Sequence, residues 1–125
     1  MQDEPTPIEL ARSVADFLRN DIAPKITGHN AFKLRVAINA LDLVTRQLTL
    51  SEGSDAAEAE RLAKLLGAPG ELIEQNRALA EKIAKGEVDL ATPGLAEHLW
   101  QTTMAKLAVD QPNYASYKRE QEGRK

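Results

Sequence analysis

Between Ala31 and Leu50 the chain has neither proline nor glycine, and its apolar residues recur at helical spacing rather than in alternation. Placed at about 100° per residue, Phe32, Leu34, Val36, Ala37, Ile38, Ala40, Leu41, Leu43, Val44 and Leu48 cover most of the circumference. A helix apolar on so many sides belongs at the centre of its fold, with neighbours on more than one face. The rest of the chain must therefore supply the helices that cover it.

Punctuation on either side divides the chain into further helices. Thr6-Pro7-Ile8-Glu9 is a capping box with proline at the first helical position, and Ile8, Ala11, Val14, Ala15, Leu18 and Ile22 form one face until Pro24 interrupts it. This places helix 1 at about 7–22. The Ile26–Asn30 stretch is a turn, with Asn30 capping helix 2. Ser51-Glu52-Gly53-Ser54 breaks the long run and caps helix 3, which carries Ala56, Ala59, Leu62, Ala63 and Leu66 and ends at Gly67. Leu72, Ile73, Asn76, Leu79, Ala80 and Ile83 mark helix 4, with Gly86 after it. A second Thr-Pro pair, Thr92-Pro93, opens helix 5, which runs to about Val109 before Pro112 stops it. No stretch sustains the two-residue alternation of a strand. The expectation is an all-α fold: an antiparallel bundle of about five helices with helix 2 central. Residues 1–117 form one domain in this reading, and 118–125 a charged, solvated tail.

Composition narrows the function classes. The 125 residues suffice for one core without staples, and 42% hydrophobic against 28% charged is ordinary globular usage. Cysteine is absent, which removes disulfides, thiolate metal sites and cysteine nucleophiles. The net charge of −3, with a basic excess only in residues 98–125, is the wrong distribution for gripping a phosphate backbone, so no nucleic-acid partner is expected. The acidic start, Met1-Gln2-Asp3-Glu4-Pro5, is unlike a secretory signal, and no apolar run approaches the length of a membrane span. These features point to a cytoplasmic protein.

One polar pattern stands out. Arg35, Asn39, Asp42 and Arg46 recur at i, i+4, i+7 and i+11, within about a 60° stripe of the otherwise apolar helix 2. The stripe is either the helix's solvent-facing strip, with exposed ion pairs of little energetic weight, or a polar seam that binds a partner or an anion, for which arginine is suited. His29 and His98 lack the companions that a metal or acid–base site needs; His29 falls in a capping turn, and His98 on helix 5 is expected at a surface or half-buried position. The glutamates fall at helix starts and in exposed pairs, and no phosphate loop, nucleophile elbow or HExxH motif occurs. No catalytic residue, cofactor or metal is therefore expected. Trp100 reads as core or interface rather than as a stacking platform. Both tyrosines, Tyr114 and Tyr117, lie just beyond Pro112, where a resumed helical turn would put them on one face beside Asp110. That face is expected to pack on the bundle near the helix 2 stripe, with Arg35 or Arg46 close to Asp110 or a tyrosine hydroxyl.

The runs Arg35-Val36-Ala37-Ile38-Asn39-Ala40-Leu41 and Lys106-Leu107-Ala108-Val109-Asp110-Gln111-Pro112-Asn113-Tyr114-Ala115-Ser116-Tyr117 carry a likeness. With them, the chain from Thr6 to Tyr117 resembles a bacterial family of short helical proteins of unknown function. Those proteins also occur fused to, or encoded beside, aminoglycoside-phosphotransferase-like kinases, often in acyl-CoA dehydrogenase neighbourhoods. The resemblance implies association rather than chemistry, with Arg35, Asn39, Asp110, Pro112 and Tyr114 as recurrent positions. The expected function is a non-catalytic helical accessory module. It would associate with itself as a homo-oligomer, a dimer, and with an aminoglycoside-phosphotransferase-like kinase or an acyl-CoA dehydrogenase. The alternative is a small-molecule binding module in which Arg35 and Arg46 hold an anionic CoA- or nucleotide-like headgroup above an apolar slot.

Overall fold

A computed structural model describes residues 3–123. The Met1-Gln2 end of the acidic stretch and the Arg124-Lys125 end of the charged tail lie outside the described residues. Within them the fold is all-α, with no strand, and its α-helices are α1 (Pro7–Phe17), α2 (His29–Leu66), α3 (Leu72–Ala84), α4 (Leu95–Asp110) and α5 (Ala115–Gly123). The central helix is α2, which packs against α1, α3 and α4. The chain divides into two compact units, Met1–Leu50 and Ser51–Lys125.

The first unit is a helical hairpin. Thr6 caps α1 as its sequence implies, its hydroxyl accepting the Glu9 amide at 3.2 Å. The expected single helix over 7–22 changes character after Phe17: Leu18–Ile22 is a π turn and Ala23–Lys25 a 3₁₀ turn. Pro24 has no amide to donate and its ring would meet the carbonyl four residues back, so the chain widens before it turns. Gly28, at φ +75°, then lets α2 start at His29, two residues earlier than the Ala31 start in the sequence reading. Among its described residues Ala15, Ile38 and Thr45 are buried, and Leu41, part of the apolar arc of the central helix, is half-buried.

The expected break at Ser51-Glu52-Gly53-Ser54 does not occur: α2 runs through it for 38 residues, fusing the predicted helices 2 and 3. Glycine costs only about 1 kcal/mol in a helix interior, and the Ala- and Glu-rich sequence that follows propagates the helix past it. Ser54 does not cap a new helix; its hydroxyl donates to the Ser51 carbonyl at 3.3 Å, the back-bonding that serine makes inside a helix. The segment nevertheless coincides with the boundary between the two units.

In the second unit Leu62, fully buried, packs with Leu79 and Leu95, and Leu65, Leu66, Leu72 and Val88 close around them. Gly67 and Gly86, both at positive φ, end α2 and α3 as expected. Gly70 leaves room for a different contact, since a Cβ there would stand 2.7 Å from the Gln75 amide nitrogen, which donates to the Ala68 carbonyl at 2.8 Å. The second Thr-Pro pair does not start a helix. The Thr92 hydroxyl accepts the Asp89 amide in a tight turn, and α4 begins only after Gly94 at φ +88°. Beyond Pro112 the helix does resume, as α5.

Candidate functional site

The polar stripe of α2 keeps to one side of the first unit. Arg35 and Asn39 are exposed, and Asp42 and Arg46 half-buried. Asp42 pairs with Arg19, at 2.5 Å, and Arg19 also meets Asp16, at 3.2 Å. Asp42 therefore has a partner on the neighbouring helical segment, outside the stripe. Asp110, at the end of α4, is exposed, as is Tyr114. Tyr117 is half-buried, and its hydroxyl accepts from Gln121 at 3.0 Å.

The Arg19–Asp42 bridge locates a second surface. Two antiparallel helices wind in mirror sense about their seam, so residues displaced the same way round from the seam lie on the same side of the pair. Taking Ala15 and its half-buried neighbours as the seam of α1, and Ile38, Thr45 and theirs as the seam of α2, Arg19 and Asp42 are both displaced by about 60–70° one way. Their meeting is the expected consequence. Leu10, Val14 and Phe17 on α1, and Val44 and Leu48 on α2, are displaced the other way, and Val36 stands at the back of α2, about opposite its seam. All of them are exposed, as is Phe32, which lies toward the back of α2 on the Asp42 side. Fractional exposure of this group runs from 45% at Val44 to 58% at Phe32. The circumference of α2 is thus apolar as its sequence shows, but this part of it is uncovered in the single chain.

The second unit holds a polar cluster that sequence reasoning missed. The Arg61 guanidinium on α2 donates from Nε to His98 Nδ1 at 3.1 Å, from one terminal nitrogen to the Gln101 side chain at 3.1 Å, and from the other to the Thr102 hydroxyl at 3.2 Å. His98, Gln101 and Thr102 stand at i, i+3 and i+4 of α4, one helical face, which is what lets a single fork reach all three. Arginine only donates, so His98 Nδ1 accepts and the ring is the neutral tautomer protonated at Nε2. His98 is 2% exposed, deeper than expected. Burial, then the Arg61 charge, lowers its pKa below the ordinary 6.5, against a smaller upward pull from Glu58. The one signal in the sequence was this polar triplet on the face that Leu95 begins.

Arg61 stands in the walls of two clefts. One, of about 410 Å³, also involves Lys64, Leu65, Pro93, Glu97 and His98; the other, of about 320 Å³, involves Trp100, Met104 and Gln121. With its lone pair engaged by arginine, His98 is not placed to act as a general base. Among the described residues no grouping of three or more His, Asp or Glu is placed to hold a metal ion. Nor is any helix long and apolar enough to cross a membrane. The cluster clips α2 to α4.

Residues 24–114 match the family described as a domain of unknown function, DUF6285. The chain belongs to that family. The match covers α2, α3 and α4, with the Arg61 cluster and the whole α2 part of the apolar strip, and leaves out α1 and α5. Neither a curated protein nor a solved structure matches the chain.

Proposed function

We propose that the chain is a non-catalytic helical accessory module of the cytoplasm, which associates with itself and docks on a kinase-like or acyl-CoA-metabolising partner. The uncovered apolar side of the first unit carries this reading. Contiguous apolar surface on that scale marks an interaction site more often than a solvated face. The resemblance to proteins fused to or encoded beside aminoglycoside-phosphotransferase-like kinases and acyl-CoA dehydrogenases supplies the class of partner. The test is light scattering after size exclusion, together with a pull-down on the products of the neighbouring genes. A chain that is strictly monomeric and captures none of them overturns the proposal.

A second reading, a binder of an anionic CoA- or nucleotide-like ligand, draws support from Arg61 rather than from Arg35 and Arg46. Arg61 lines two clefts, and the His98, Gln101 and Thr102 groups to which it donates are neutral. Thermal shift against a panel of CoA and nucleotides separates the readings, because a ligand specific for the folded state raises the melting temperature by mass action.

A further inference from the structure

We infer that the occupant of the apolar side of the first unit is the same side of a second copy of this chain, the two hairpins stacking as the halves of a four-helix bundle. The inference rests on the reading of the chain as a self-associating module and names the surface and the geometry. α1 and the first half of α2 make one layer, and layered helical architectures close by burying such a layer against another. The charged residues of α1, Glu9, Arg12 and Asp16, are all displaced from the seam toward the Arg19–Asp42 side, so the strip from Leu10 to Phe17 carries no charge. On α2, Lys33 and Gln47 stand near the two ends of the strip, with Val36, Ala40 and Val44 between them. This is a polar rim around an apolar centre. Such a surface has no charge pattern to select a partner of opposite sign, whereas isologous pairing requires only that it complement itself.

The area agrees. With each large side chain about half exposed, Leu10, Val14, Phe17, Val36, Val44 and Leu48 leave on the order of 500 Å² of apolar surface, within the range that a monomer's largest patch reaches. With its rim the face approaches the roughly 800 Å² per partner of a standard interface. Ala37 and Ala40 keep the middle of the α2 strip low, which permits close helix approach.

The test is the mass of the full chain by light scattering, for the wild type and for three variants checked for helicity by circular dichroism. Val44→Glu and Leu10→Glu place a charge on the strip from different helices, and Asn39→Glu places one on the opposite side. The expected result is a dimeric wild type, a dimeric Asn39→Glu and monomeric, still helical Val44→Glu and Leu10→Glu; if one of the strip variants fails to fold, the other decides. A monomeric wild type, or strip variants that stay dimeric, overturns the inference. If the wild type is monomeric yet captures a neighbouring gene product, and Val44→Glu abolishes that capture, the module reading stands and only the second copy is wrong.

Discussion

Arg61 and His98 show how a charged and a titratable residue come to be held inside a small helical unit. His98 is neutral because its surroundings exclude a proton, and that sets a direction for pH dependence. Its folded pKa lies below 6.5, so the unfolded chain takes up a proton that the buried ring refuses. The stability contributed by the neutral ring is present above the unfolded value and lost as pH falls toward the lowered folded one. The urea midpoint is expected to drop between about pH 7.5 and about pH 5.5. In His98→Gln, which retains an acceptor for Arg61, that part of the slope should vanish; an unchanged slope would mean that carboxylates set it. A second expectation concerns Leu62, the fully buried centre of the second core, and the half-buried Leu41. Leu62→Ala should cost about 2–5 kcal/mol by denaturant titration, and Leu41→Ala distinctly less. The apolar arc read from the sequence includes Leu41 among ten residues, because periodicity identifies an arc but not which part of it a neighbour covers. Arg61 was invisible for a related reason: its meaning depends on a triplet on another helix, far away in sequence.

At the scale of elements, the legible features were those written in local chemistry. The Thr6 cap, the glycine ends of α2 and α3 and the stop at Pro112 all follow from backbone rules that act within a few residues. Two of the misplaced boundaries involve the same kinds of residue overruled by context. Ser51-Glu52-Gly53-Ser54 has the composition of a turn but sits between strongly helical stretches, and Thr92-Pro93 has the composition of a helix start but is consumed by the Asp89 turn. Gly53 offers a direct check on the first. It lies within α2, and a Cβ added there meets nothing within 4 Å. Gly53→Ala should therefore stabilise the chain by about 1 kcal/mol, seen as a higher denaturation midpoint. A loss of stability would mean that the segment is a turn that needs its glycine.

For the molecule as a whole, the all-α class and the central place of α2 were readable from one apolar run, whereas the exposure of part of that run was not. Hydrophobic pattern specifies that a surface is to be buried, and a single sequence does not say whether its cover comes from the same chain. The polar stripe has the converse ambiguity, since Arg35, Asn39, Asp42 and Arg46 read alike as a solvated strip or a seam, and the Arg19 partner of Asp42 comes from outside the stripe. The apolar side of the first unit thus carries the functional account, and its most direct test is sedimentation equilibrium of the full chain across a wide concentration range. The account predicts an average mass that climbs with concentration from one chain to two and levels there. A mass of one chain at every concentration would contradict it.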